Sequence, residues 1–198
     1  MLAHVLERAA AIQGIDQVVL AVPENDVRLV AHLWPYVYGG SEKDVLGRYA
    51  GAAEQYEADV IIRITGDCPL LAPNLAAQVL RFLKLSSNIN AVYLPYCQPY
   101  FLVADGWDVE VFQRRVLVNA DRYADKDQRE HVTTWMRVAW PRNGYEGIAP
   151  MTDWTALNCS VNTREDLKRV ELIMNHLEDK TDFSHAATWR AWQKAGRP

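Results

Sequence analysis

The chain has no excess of basic residues, no long apolar run and no set of paired cysteines, and each absence removes a class of function. Lysine and arginine number 21 against 25 aspartates and glutamates, for a formal net charge of -4. The electrostatic footprint that nucleic-acid binding needs is therefore missing, and no nucleic-acid partner is expected. No apolar stretch approaches the roughly 18 residues of a membrane span. The opening Met1-Leu2-Ala3-His4-Val5-Leu6-Glu7-Arg8 is amphipathic and lacks the basic start and apolar core of a signal peptide. A cytoplasmic protein without a membrane partner is the expectation. The three cysteines, Cys68, Cys97 and Cys159, are odd in number and far apart, which argues against a disulfide framework or a metal knuckle. They read as small apolar core residues. Repeats, low-complexity tracts and linkers are absent as well, so the 198 residues are expected to form one domain, 1–198, with a substantial core.

What is present is an alternation of helical and strand patterns. Leu2, Val5, Leu6, Ala9 and Ile12 recur at helical spacing, and a β-branched run over 17–22 follows Gly14. The same reading gives a helix over 26–33 cut by Trp34-Pro35, a strand over 36–38, and a helix over 42–56 with Ser41 as N-cap. Then come a strand over 60–64, a helix over 74–84, apolar pieces at 91–94 and 100–103, and an alternating strand over 108–112. Helices are expected over 114–124 and from about Arg129, a last strand over 158–161, a helix over 164–177 capped by Thr163, and a packed terminal helix within 181–198. Short strands separated by helices predict an α/β fold, with a mostly parallel, Rossmann-like sheet covered by helices on both faces.

The chemistry concentrates where Ala58-Asp59-Val60-Ile61-Ile62-Arg63-Ile64-Thr65-Gly66-Asp67-Cys68-Pro69 turns a buried strand into a tight loop. Asp67 falls at the carboxyl end of that strand, where open α/β sheets bind ligands. It suits a hard cation such as Mg²⁺ bridging to phosphates, and it suits equally a cap on the proline-rich turn. Arg63, a guanidinium in an apolar strand, requires a carboxylate or a phosphate. A structural ion pair under the loop at 40–44 and a ligand contact both satisfy it. Asp108 and Glu110 share one strand face and repel unless solvated, paired or bridged by a cation. His131 reads as a helix-start histidine bonded to backbone, with a substrate contact as the other role.

Five stretches taken together resemble one family. They are Gly40-Ser41-Glu42-Lys43-Asp44-Val45-Leu46-Gly47-Arg48-Tyr49, Arg63-Ile64-Thr65-Gly66-Asp67-Cys68-Pro69-Leu70, Gly106-Trp107-Asp108-Val109-Glu110-Val111-Phe112, Arg129-Glu130-His131-Val132-Thr133 and Ser160-Val161-Asn162-Thr163-Arg164-Glu165-Asp166-Leu167. In this order they are similar to sugar cytidylyltransferases of the spore coat polysaccharide biosynthesis protein F type, relatives of the 3-deoxy-manno-octulosonate and acylneuraminate enzymes. The resemblance implies a nucleotide-diphospho-sugar transferase fold and transfer of CMP from CTP to a sugar acid or similar acceptor, in cell-surface polysaccharide biosynthesis. It also implies roles. Asp67, with Arg63 and Asp108, carries the chemistry, and Asp67 and Asn162 hold Mg²⁺. Gly40, Ser41, Glu42, Thr65 and Gly66 line the nucleotide, while Asp108, Glu110 and His131 face the acceptor.

Two features depart from that family. Its first strand and the glycine-, arginine- and lysine-containing phosphate loop have no counterpart ahead of Leu2, which predicts a gap between the strands at 17–22 and 60–64, or their pairing with a second copy in a homodimer. Asn162 stands where the family usually places an aspartate, so one anionic metal ligand is lost. A chain read from an internal methionine and an inactive relative both account for the first departure. The rival functions are a non-catalytic nucleotide-binding or assembly subunit and a glycosyltransferase using Asp108-Val109-Glu110 as its acidic metal motif.

Overall fold

In the computed structural model, which describes residues 1–88, 90–94, 102–107, 109–139, 145–147 and 152–198, helices and strands alternate as far as Leu94. α1 (Leu2–Ala10) leads to β1 (Leu20–Pro23), a 3-10 turn over Glu24–Asp26 and the single-turn α2 (Val27–Val30). β2 (Val37–Gly40), α3 (Val45–Gln55), β3 (Val60–Arg63), α4 (Pro73–Leu85) and β4 (Val92–Leu94) follow. The remaining elements are β5 (Glu110–Gln113), α5 (Arg114–Tyr123), α6 (Thr134–Ala139), β6 (Tyr145–Gly147), α7 (Arg164–Asn175) and α8 (His185–Lys194).

Several boundaries differ from expectation for local reasons. α3 starts at Val45 because Asp44, not Ser41, caps it: Asp44 Oδ1 accepts from Gly47 N–H at 2.8 Å, while Ser41 Oγ accepts from Asp44 N–H at 3.0 Å and closes the turn before it. The helix expected from Arg129 begins at Thr134, since Lys126–Gln128 form a 3-10 turn under an Asp125 capping box. The strand expected over 158–161 reduces to an isolated bridge between Asp105 and Asn158. Cys68 and Cys159 are buried, as expected; Cys97 and part of the piece at 100–103 lie outside the described residues.

Among the described residues the strands form two sheets. β1 pairs with β2 in parallel, Leu20 opposite Val37, and β3, β5, β4 and β6 form a second sheet in that order. β5 runs antiparallel to both β3 and β4, while β4 and β6 are parallel. The sheet expected to be mostly parallel is thus mixed. Alternation along 108–112 fixes which residues share a face but carries no information on strand direction.

Helices cover both faces of the larger sheet. Val60, Ile62, Tyr93, Val109 and Val111 pack with α1 and α4 through Ala9, Val79, Leu80 and Leu83. Ile61, Val92, Leu94 and Phe112, pointing oppositely, pack with Leu46 of α3, Leu117 of α5 and Met136 of α6. A third cluster gathers α7 and α8 around Trp107, whose buried Nε1–H donates to Leu70 O at 2.9 Å. Arg8 ties α1 to this part of the chain. It is 1 % exposed, donates to Leu71 O at 2.9 Å and lies 4.7 Å from the Phe183 ring centre. Burial lowers its guanidinium pKa to about 10. Between the two sheets runs a cavity of about 540 Å³, walled by α1, β1, α3 and β3.

Candidate functional site

The carboxyl end of β3 collects the residues with chemistry. After Arg63 the backbone turns at Gly66 and Asp67, leaving Asp67 half-buried. Its peptide oxygen accepts from Val161 N–H at 2.9 Å, which puts Asn162 one residue from a direct link to Asp67. Asn162 is exposed, and its Nδ2 donates to Ser160 Oγ at 3.3 Å. The 158–162 stretch is itself pinned. Ser160 Oγ donates to Asp105 Oδ2 at 3.0 Å, and Cys159 N–H donates to Asp105 O at 2.7 Å. Such an approach requires glycine at 106, where φ is +91° and a Cβ would lie 2.8 Å from the Cys159 carbonyl carbon. Asp67 and Asn162, separated by 95 positions in the sequence, are therefore brought side by side.

At the last residue of β3 sits an ionic network. Arg63 and Glu110 are cross-strand partners in the β3–β5 register, and Arg63 Nη1 donates to Glu110 Oε2 at 2.8 Å. Glu110 is 5 % exposed. Its other oxygen accepts from Thr133 Oγ1 at 2.6 Å and from Arg137 Nη2 at 3.1 Å. Both carboxylate oxygens are engaged, so Glu110 anchors two guanidinium groups in this structure. Thr133 and Arg137 did not emerge as site residues from the sequence; the only signal was Thr133 at the end of the 129–133 motif. Arg63 Nε and Arg48 Nε are buried without a partner among the described residues. Asp108, two residues before Glu110, lies outside the described residues.

The loop after β2 carries a third group of candidate residues. Gly40 ends the strand, and a Cβ there would lie 3.0 Å from Arg48 Cγ. Ser41 and Glu42 are exposed, and Ser41 O accepts from Arg48 Nη1 at 2.7 Å. The ion pair beneath this loop is made by Arg129, not Arg63. Arg129 Nε donates to Asp44 Oδ1 at 2.9 Å, and its Nη2 reaches Asp121. Burial opposes ionisation of Asp44, but Arg129 and the Gly47 N–H outweigh it and hold its pKa below the usual value. Between the loop and β3, Tyr49 donates its hydroxyl to Ile64 O at 3.2 Å, and burial raises its phenol pKa. Thr65 and Gly66 line the cavity between the sheets, with Thr65 Oγ1 3.2 Å from Cys68 Sγ. His131 is exposed in the turn before α6, and its peptide oxygen accepts from Thr134 N–H at 2.9 Å.

Among the described residues no three His, Cys, Asp or Glu side chains are grouped to hold a metal. Asp67 and Asn162 offer one carboxylate and one amide oxygen. Two hard oxygen donors beside an exposed turn fit Mg²⁺, which keeps several waters and takes ligand phosphates; they do not fit Zn²⁺, which takes nitrogen and sulfur ligands in a tetrahedral cage.

Residues 1–139 match the model of a protein family described as Cytidylyltransferase. Over 137 residues the chain is 36% identical to an uncharacterized protein of Methanocaldococcus jannaschii, covering 66% of this chain and 54% of that protein. It thus spans about half the length of that curated relative. A cytidylyltransferase from Leptospira borgpetersenii superposes with a TM-score of 0.87 at 24% identity, over 98% of this chain and 83% of that one. CMP:2-keto-3-deoxy-manno-octonic acid synthetase complexed with CTP gives 0.61 at 17% identity, covering 88% and 87%. A 4-diphosphocytidyl-2C-methyl-D-erythritol synthase from Anaerococcus prevotii gives 0.59 at 10%, covering 88% of each chain. At these identities the structural likenesses establish the fold.

Proposed function

Because the chain belongs to the cytidylyltransferase family, whose model matches residues 1–139, we propose that it binds CTP at the carboxyl end of β3 and transfers CMP to a sugar acid. In that reaction an acceptor oxygen forms a bond to the α-phosphorus and the bond to the bridging oxygen breaks, releasing pyrophosphate. The observation that supports the reading is the hydrogen bond from Val161 N–H to Asp67 O at 2.9 Å, which ties the segment carrying Asn162 to the turn after β3. Catalysis of phosphoryl transfer rests on positioning and charge neutralisation. Asp67 and Asn162 would hold Mg²⁺, which when bound supplies charge neutralisation for the phosphates.

The roles of the protein groups follow from their surroundings. Gly40, Ser41 and Glu42 present an exposed loop to the base, with its shape held by Arg48 on Ser41 O. Thr65 and Gly66 offer backbone to the phosphates. Glu110 holds Arg63 and Arg137, keeping two cations near the end of β3 for an anionic acceptor, with Asp108 and His131 on the acceptor side. Support for CTP and for a sugar acid comes from the synthetase whose structure was solved with CTP. A polysaccharide pathway and a cytoplasmic location belong to the same proposal, and no helix among the described residues is long and apolar enough to cross a membrane.

Asn162 favours a second reading, a nucleotide-binding subunit without catalysis, because a neutral ligand replaces an anionic one. One series separates the two. Calorimetry with Mg²⁺ and CTP is expected to show binding that Asp67→Asn abolishes and Asn162→Asp strengthens by about tenfold, roughly 1.4 kcal/mol. Pyrophosphate release from CTP with a 3-deoxy sugar acid marks the enzyme; binding without release marks the subunit. CTP binding that ignores both substitutions overturns the site.

A further inference from the structure

The far end of the turn that carries Asp67 is held by the start of α8, well beyond residues 1–139. His185, the first residue of α8, meets Asn74 in the first turn of α4, seven positions after Asp67. His185 N–H donates to Asn74 Oδ1 at 3.1 Å, and Asn74 Nδ2 lies 2.6 Å from His185 Nδ1. A backbone N–H can only donate, so it claims the oxygen end of the amide and turns the NH₂ end toward the ring. Nδ1 must then accept, which requires a neutral imidazole with its proton on Nε2. Protonation of Nδ1 sets two donors against each other. Flipping the amide does not repair this, because the backbone N–H would then meet the NH₂ group.

The surroundings favour the neutral ring. His185 packs against Trp154 and Trp107, with ring centres 4.8 and 6.0 Å away, and burial lowers its pKa from the ordinary 6.5. A positive charge at the first position of α8 also opposes the helix dipole. The charged groups on neighbouring elements are engaged elsewhere. Asp182 accepts from Ser184 N–H and lies 3.8 Å from Arg190, Asp153 accepts from Thr155, Asp105 accepts from Ser160, and Arg8 of α1 donates to Phe183 O. α4 has no acidic residue in its first turn. The same contacts reach the turn after β3. Trp107, beside His185, donates its indole N–H to Leu70 O at 2.9 Å, and Leu71 N–H bonds at 3.1 Å to the peptide oxygen of Cys68, the residue after Asp67. Arg8 bridges Leu71 O and Phe183 O and remains charged in mild acid, so it keeps α8 docked when the histidine bond opens. We propose that neutral His185 is a positioning residue for the Asp67 turn, and that its protonation in mild acid loosens the turn while α8 stays docked. Any effect on nucleotide binding rests on the cytidylyltransfer reading; the latch does not.

Because the folded-state pKa is depressed, the bond is present above the unfolded value of about 6.5 and is lost as pH falls through the folded one. NMR on the full chain without nucleotide tests this. The His185 ring is expected to carry its proton on Nε2 at neutral pH and to titrate below 6.5. Through the same window the Trp107 indole and Leu71 amide protons, corrected for intrinsic exchange, are expected to lose about tenfold in protection, the worth of one net hydrogen bond. Amides within α8 are expected to keep theirs. His185→Asn, which keeps an acceptor near the Nδ1 position and cannot titrate, is expected to make the turn's protection independent of pH. Asn74→Asp, which accepts from both the backbone N–H and a protonated ring, is expected to move the His185 titration above 6.5 and to hold the turn through the window. A His185 that titrates while the Trp107 and Leu71 protons ignore pH serves α8 alone and overturns the proposal. So does an unchanged pH response in His185→Asn, because another group is then the sensor. Calorimetry with Mg²⁺ and CTP on the same proteins is a separate arm: weakening in acid for the parent but not for Asn74→Asp carries the latch to the nucleotide. Failure of CTP to bind at any pH counts against the cytidylyltransfer reading and leaves the proton readouts to decide the latch.

Discussion

Glu110 of β5 joins Arg63 of β3 to Arg137 of α6. Both of its oxygens are occupied at 5 % exposure, by Arg63, Thr133 and Arg137. Removing a buried partner leaves the remaining charge uncompensated, a loss of order 3–5 kcal/mol. Arg63 keeps some access to water and Arg137 is more than half exposed, so the low end applies. Glu110→Ala is expected to cost about 3 kcal/mol in urea unfolding. Glu110→Gln, which keeps an acceptor for Thr133, is expected to cost about 2 kcal/mol. Adding Arg63→Met to Glu110→Ala should recover part of the loss, because the orphaned guanidinium is removed; a cycle with no coupling would show that the pair is not a unit. This pair was half visible in the sequence. A guanidinium in an apolar strand demands a carboxylate, and the demand is met. That the carboxylate is Glu110, 47 positions away, depends on β5 running antiparallel beside β3, which no local pattern encodes. Thr133 and Arg137 were hidden for the same reason.

At the scale of single elements, helix starts were legible where one side chain decides them and misplaced where two compete. α7 begins where the sequence indicates. Thr163 Oγ1 accepts from Asp166 N–H at 3.2 Å, and Asp166 Oδ2 accepts from Thr163 N–H at 2.8 Å. α3 is capped by Asp44 rather than Ser41: both are good caps three residues apart, and Arg129, remote in sequence, stabilises Asp44. The α7 cap also reaches the candidate site. Asp166 accepts from Asn162 N–H at 3.0 Å. Bonds from Thr163, then Asn162, with Arg169 assisting, hold the Asp166 pKa at about 2 against an ordinary 3.8. A depressed carboxylate pKa stabilises the fold above the unfolded value, and that stabilisation is lost as pH falls through the folded one. Acid unfolding is therefore expected to show a limb between pH 3.8 and about 2 from this group. Asp166→Asn is expected to flatten that limb while leaving stability at pH 7 lower than in the parent. Circular dichroism against pH for the two proteins checks it, and superimposable profiles would remove Asp166 from the cap.

Across the whole molecule, the α/β character and the helices on both faces follow from the apolar, β-branched run Val60–Ile64 and from helical spacing in α1, α4 and α7. The division into two sheets does not, since periodicity assigns residues to faces and says nothing of which strands meet edge to edge. That division makes stability uneven. β5 lies between two strands, with Val111 and Phe112 fully buried on opposite faces. β1 and β2 form a two-stranded ribbon, every residue of which is only partly buried. A two-stranded ribbon is marginal alone and depends on what packs against it, and here one side of β1 borders a cavity rather than a strand. Local opening of β1 and β2 should then need less free energy than global unfolding, while opening of β5 should need nearly all of it. Native-state hydrogen exchange at increasing urea is expected to place the Leu20, Val22 and Tyr38 amides on a low, shallow isotherm and those of Val111 and Phe112 on the steep global one. A single shared isotherm would mean that the two sheets unfold as one unit, and that the cavity between them does not weaken their coupling.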